Sequence, residues 1–199
     1  NILTVARVVF VPVFMTIVIF DLFGGVKPEG IWTRLIGAAL FGLISLTDMV
    51  DGKLARKYNI VSDFGKFLDP LADKVLILGA MLALLIFMRD NFIFAALLSF
   101  ATFIVIFREL AVTSLRLLCK NADGLVIAAN KAGKIKTTSQ MIFILAALLE
   151  PLIWNWLFNK NWLFITYAAL AVMTFMTVYS GINYFRIYLP YLRKKDDQK

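Results

Sequence analysis

The chain has 199 residues, of which 61% are hydrophobic and 17% charged, and its mean hydropathy is +0.82. A soluble domain is roughly half apolar and about a quarter charged, and a chain this short has too little interior to hide the excess. A soluble enzyme and a disordered chain are thereby excluded, which leaves an α-helical integral membrane protein. The net charge of +8, from 21 Lys+Arg against 13 Asp+Glu, points to membrane orientation and anionic head groups rather than to nucleic acid.

Six apolar stretches follow in chain order, at about residues 2–23, 31–55, 64–88, 92–119, 135–158 and 162–189. Each reaches the ~20 residues that a spanning helix needs. The fold class expected is therefore an all-α membrane protein of six transmembrane helices, one domain over residues 1–199. The first stretch is too long for a targeting peptide and shows no cleavage pattern. A few residues are expected to precede Asn1. Six spans put both termini on one side. Of the 21 Lys+Arg residues, 17 fall on that side and only four, Lys27, Arg34, Arg89 and Lys160, on the other. The bias places both termini in the cytoplasm. Trp154, Trp156 and Trp162 gather at the turn between the fifth and sixth stretches, as an outer-leaflet aromatic belt would.

Histidine is absent and Cys119 is the single cysteine. His bases, His or Cys metal sites and disulfides are excluded, so any metal must be held by oxygen and be a hard cation. In the second stretch Asp48, Asp51, Gly52 and Ala55 stand at i, i+3, i+4 and i+7. In the third, Gly65, Asp69 and Asp73 stand at i, i+4 and i+8. At about 100° per residue each set shares one helix face. A short connection near residues 57–63 makes the two helices antiparallel neighbours, so four carboxylates can converge at the cytoplasmic end of apolar segments. Such acids repel and are expensive near a membrane, and one or two divalent metals are the economical counter-charge. Two metals in a carboxylate cage suit displacement at phosphorus. Gly52 and Ala55 leave room for a ligand against the helix, and Arg56 can fork onto a phosphate. Solvated helix ends and an ion-coupled transporter site are the competing explanations. The first does not account for face-matched spacing, and the second calls for a charge or a broken helix at mid-membrane.

The basic residues form a second set. Arg108 and Arg116 share a face of the fourth stretch, and Lys134 and Lys136 open the fifth. They could be positive-inside anchors or phosphate ligands. Arg108 lies deepest in its apolar run and needs an anion there, whether Glu109, an Asp or a substrate phosphate. Glu109 could serve structurally, pairing Arg7 or Arg116.

The pattern Asp48-x2-Asp51-Gly52-x2-Ala55-Arg56-x8-Gly65-x3-Asp69-x3-Asp73 resembles the signature of the CDP-alcohol phosphatidyltransferase family at all eight motif positions. Asn1-x2-Thr4-x2-Arg7, Arg108-Glu109-Leu110, Leu115-Arg116, Ala128-Ala129 and Gly133-Lys134-Ile135-Lys136-Thr137-x2-Gln140 are similar to the branch of that family that uses glycerol 3-phosphate. The resemblance implies a six-helix enzyme, usually homodimeric, in which an alcohol displaces CMP from a CDP-linked lipid. It implies two divalent cations, Mg2+ or Mn2+, on Asp48, Asp51, Asp69 and Asp73, with Asp73 as general base. CDP-diacylglycerol would lie along Asn1, Thr4, Gly52, Ala55, Arg56 and Gly65. Glycerol 3-phosphate would meet Arg108, Arg116, Lys134 and Lys136. The product would be phosphatidylglycerol phosphate, made at the cytoplasmic face of the cell membrane among membrane lipids, with no nucleic acid involved. Inositol phosphate and phosphatidylglycerol are the alternative acceptors.

Overall fold

The computed structural model describes residues 2–21, 30–58, 63–123, 131–158, 160 and 162–196, and the side chains of 6–21, 30–47, 71–118, 132–158, 160 and 162–188. Six α-helices form among these residues: α1 Ile2–Ile19, α2 Ile31–Tyr58, α3 Asp63–Phe87, α4 Phe92–Asp123, α5 Lys131–Phe158 and α6 Phe164–Asp196. They match the six apolar stretches in order. Several hydroxyls inside them are satisfied by the helix itself. Thr102 Oγ1 donates to Leu98 O at 2.7 Å and Thr177 Oγ1 to Met173 O at 2.8 Å, which lets a polar group sit in an apolar helix at little cost. Asn91 caps α4 by accepting the Phe94 N–H at 3.2 Å.

Among the described residues, three helical stretches are long and apolar enough to cross a membrane: Phe92–Leu118, Ala132–Phe158 and Phe164–Tyr188. Ala6–Ile19 and Ile31–Thr47 are shorter apolar helices. Their outer faces are apolar. Phe100, Phe103, Phe107 and Leu110 on α4 and Phe164 and Phe175 on α6 are all exposed. So much uncovered apolar surface suits lipid rather than water.

The helix α3 sits centrally, packed on α1, α4 and α5. The helix α1 also packs on α2, α2 on α5, and α6 on both α4 and α5. The buried core runs through these contacts, with Phe14, Phe41, Met81, Leu84, Ile144 and Leu148 fully enclosed. Phe14 and Phe41 meet at a ring separation of 6.0 Å. Gly79 sets the α1–α3 approach, since a Cβ there would lie 2.7 Å from Val11 Cγ1. A side chain at that position would force the two helices apart.

Candidate active site

Four helices converge on a cavity of about 320 Å3 at the end of the bundle where α5 begins. The helix α3 contributes Asp73, Lys74, Ile77 and Leu78, and α4 contributes Val105, Arg108, Glu109 and Arg116. From α5 come Gly133, Lys134, Lys136, Thr137 and Gln140, and from α6 Tyr184. Five cations thus face two carboxylates in one cavity. Such an excess suits a multiply charged anion.

Arg108 is buried and held on three sides. Its Nη1 donates to Glu109 Oε1 at 2.9 Å and its Nη2 to Ser180 Oγ at 2.7 Å. The guanidinium lies 5.4 Å from the Tyr184 ring centroid. Gly181 makes room for its stem, because a Cβ there would sit 3.3 Å from Arg108 Cγ. Lys136, also buried, donates to the same Glu109 oxygen. One carboxylate therefore binds two buried cations, which is how such charges are tolerated in an apolar helix bundle. Arg116 reaches the cavity from two turns further along α4. Its Nη2 donates to Tyr184 Oη at 2.6 Å, and its guanidinium lies 5.0 Å from that ring's centroid. Lys74 Nζ donates to Thr113 Oγ1 at 2.6 Å. Lys134 is exposed and has no ion-pair partner among the described residues.

Asp73 stands at the cavity's α3 wall with its side chain half exposed. Its Oδ1 accepts from Arg7 Nη1 at 3.2 Å, while the Arg7 side chain is only 2% exposed. The buried cation of α1 fixes the position of one carboxylate oxygen.

The cavity therefore unites Asp73 with all four residues expected to meet the acceptor phosphate, Arg108, Arg116, Lys134 and Lys136. The other expected site residues fall differently. Asn1 lies outside the described residues. Thr4, Asp48, Asp51, Gly52, Ala55, Arg56, Gly65 and Asp69 lie on α1, α2 and α3 with side chains outside the described set. Helical backbone across both acidic stretches gives each set the single face that its spacing predicts. Among the described side chains no group of three or more His, Cys, Asp or Glu residues is placed to hold a metal. That set excludes three of the four motif acids. The donor chemistry fits a hard cation. Asp73 offers a half-exposed carboxylate at the cavity wall, and the other three acids are carboxylates on the same two helices.

Glu109 is the anion that Arg108 finds, as one of the expected alternatives had it. It also binds Lys136, and not Arg7 or Arg116, while Arg7 binds Asp73. Sequence reasoning also missed Tyr184 and Ser180. Their signal was a buried polar and small stripe in apolar α6, Thr177, Ser180, Gly181 and Tyr184, at i, i+3, i+4 and i+7.

The family model described as CDP-alcohol phosphatidyltransferase matches residues 1–179. The chain belongs to that family. It is 42% identical over 189 residues to the CDP-diacylglycerol–glycerol-3-phosphate 3-phosphatidyltransferase of Bacillus subtilis (strain 168), covering 93% of this chain and 92% of the relative. It is 32% identical over 188 residues to the Salmonella typhimurium protein of the same name, covering 92% and 91%. A probable phosphatidylglycerophosphate synthase of Mycobacterium tuberculosis (strain H37Rv) is 38% identical over 144 residues, covering 72% of this chain and 62% of the relative. Members of the family generally depend on divalent metal.

Proposed function

We infer that this chain transfers the phosphatidyl group of CDP-diacylglycerol to glycerol 3-phosphate, giving phosphatidylglycerol phosphate and CMP. The observation that carries this reading is the shared cavity of Asp73, Arg108, Arg116, Lys134 and Lys136. A reacting carboxylate and a phosphate-sized excess of positive charge lie in one place. Full-length relatives named for the same transfer support it.

The acyl chains of CDP-diacylglycerol lie in the bilayer and its cytidine diphosphate enters from the cytoplasm, along Asn1, Thr4, Gly52, Ala55, Arg56 and Gly65. Two divalent cations, Mg2+ or Mn2+, would be held by Asp48, Asp51, Asp69 and Asp73. When bound they supply charge neutralisation for the pyrophosphate and polarisation of the phosphorus. Arg116, Lys134 and Lys136 draw in the acceptor phosphate by charge-assisted hydrogen bonds. Arg108, tied to Glu109, Ser180 and Tyr184, keeps the back of the pocket positive and rigid. Phosphate binding at these residues orients the far hydroxyl of the acceptor towards Asp73, which accepts its proton. The hydroxyl oxygen bonds to the phosphorus bearing diacylglycerol as the bond to the CMP oxygen breaks. Arg7 holds Asp73 in position for this step.

Serine, choline and free inositol have no phosphate to satisfy the cationic cluster. Inositol phosphate does, and the glycerol-phosphate relatives argue against it. Both termini and the site face the cytoplasm of a six-span protein, by the Lys+Arg bias, and the protein acts as a homodimer in the cell membrane.

Lys134 tests the reading with least risk to the fold, because it is exposed and unpaired among the described residues. Lys134→Ala should raise the KM for glycerol 3-phosphate about tenfold, the loss of one charge-assisted contact, and leave the KM for CDP-diacylglycerol within about twofold. Equal changes in both constants would contradict the assignment.

A further inference from the structure

Gln140 is the least explained side chain of the cavity. It lies on α5 one helical turn beyond Lys136 and is 1% exposed. It lines the cavity, yet among the described residues neither its Oε1 nor its Nε2 has a hydrogen-bond partner. Buried polar atoms are nearly always paired, because an unpaired one has given up its hydrogen bonds to water for nothing in return. An apolar residue of the same size would avoid that cost here, since Ile77, Leu78 and Val105 form the adjoining apolar wall. Arg108 Nε, on another residue of the cavity wall, is likewise without a partner among the described residues.

The chemistry of these atoms narrows the ligand. Cations already line the cavity for a phosphate, and Asp73 is the proton acceptor. A primary amide adds a neutral donor and a neutral acceptor side by side. The group that uses both is an alcohol, which donates one hydrogen bond and accepts another. Accepting the reading above, glycerol 3-phosphate brings a phosphate for the cations, a primary hydroxyl for Asp73, and one group left over, its secondary hydroxyl. We propose that the side-chain amide of Gln140 binds the non-reacting secondary hydroxyl of the acceptor and thereby sets the enzyme's specificity for a phosphorylated diol. The inference rests on the acceptor reading and deepens it. It gives Gln140 a task in acceptor recognition that the phosphate ligands cannot perform.

A substrate pair isolates this contact. 3-Hydroxypropyl phosphate keeps the phosphate and the primary hydroxyl of glycerol 3-phosphate and lacks only the secondary hydroxyl. A site that hydrogen-bonds a substrate hydroxyl rejects the analogue without it, because its own polar atoms are left unpaired. Wild-type protein should prefer glycerol 3-phosphate by at least ~10-fold in kcat/KM. In Gln140→Met, which keeps the length and removes both polar atoms, the ratio should fall to within about threefold of unity, with the KM for CDP-diacylglycerol unchanged. The variant should melt no lower than wild type, since it removes two unpaired buried atoms. A residue with a purely structural role would change stability and leave the ratio alone. A wild-type ratio near one overturns the proposal by itself, whether or not the variant folds. So does a Gln140→Met protein that keeps the wild-type ratio. Turnover of glycerol 3-phosphate with either result sinks this inference alone, whereas no turnover of glycerol 3-phosphate by wild type sinks the acceptor reading as well.

Discussion

Glu150 and Glu109 are both carboxylates set into apolar helices, and they are satisfied in different ways. Glu150, 2% exposed, accepts from Trp154 Nε1 at 3.0 Å and Ile165 N at 2.8 Å on one oxygen. On the other it accepts from Thr166 N and Thr166 Oγ1, both at 2.6 Å. Two of those donors are backbone groups in the first turn of α6, so a side chain of α5 caps its neighbour. The surrounding Trp154, Phe158, Trp162 and Phe164 stack on one another. Every hydrogen bond there is local to the α5–α6 turn. Glu109 instead binds two cations from different helices. Around it lie a cavity, three further cations and the unpaired atoms of Gln140 and Arg108. A buried polar group that is matched throughout serves the architecture. One set among unmatched neighbours marks where a ligand belongs.

Substitutions at the two ends should separate these roles. The largest effect is expected from Asp73→Asn in the cationic cavity. Loss of the proposed proton acceptor should lower kcat by at least ~100-fold, and steady-state kinetics with an unchanged melting profile would localise the loss to the site. Near-wild-type turnover would move the base elsewhere. At the α5–α6 turn, Glu150→Ala leaves four donors without their acceptor. It should cost about 2–4 kcal/mol of stability, read as a lower melting temperature in detergent, while both KM values hold. A selective rise in either KM would break the contrast between the two ends. The smallest effect belongs to Tyr184→Phe, which keeps the ring beside Arg108 and Arg116 and removes the hydrogen bond from Arg116. About 1 kcal/mol of positioning should be lost, a roughly fivefold rise in the KM for glycerol 3-phosphate. No change would mean that the ring alone orients Arg116.

Apolar run length predicted the helices to within a few residues where runs end at turn-forming polar groups. The stretch at 64–88 became Asp63–Phe87, and that at 135–158 became Lys131–Phe158. It failed at the tail, where α6 continues to Asp196 through Arg193, Lys194 and Lys195. Hydropathy cannot register a helix that leaves the apolar layer, and these residues are good helix formers. Asp73 and the four basic residues were legible because helical spacing and depth in an apolar run are local properties. Their partners were not. Arg7 meets Asp73 across 66 residues and Arg116 meets Tyr184 across 68. Which cation takes Glu109 depends on how α4, α5 and α6 pack, and no periodicity encodes that. Gln140 stood in plain view within a motif, but that its two polar atoms lack partners among the described residues is visible only once the helices are assembled.

The central claim is that the cationic cavity beside Asp73 receives a phosphorylated alcohol. An acceptor screen tests it most directly. Purified protein would be given CDP-diacylglycerol and Mg2+, with glycerol 3-phosphate, inositol phosphate, serine or phosphatidylglycerol as acceptor, and CMP release would be measured beside the lipid product. The account predicts phosphatidylglycerol phosphate from glycerol 3-phosphate, abolished by excess chelator, and no product from serine or phosphatidylglycerol. Product from serine or phosphatidylglycerol, with none from glycerol 3-phosphate, would contradict it.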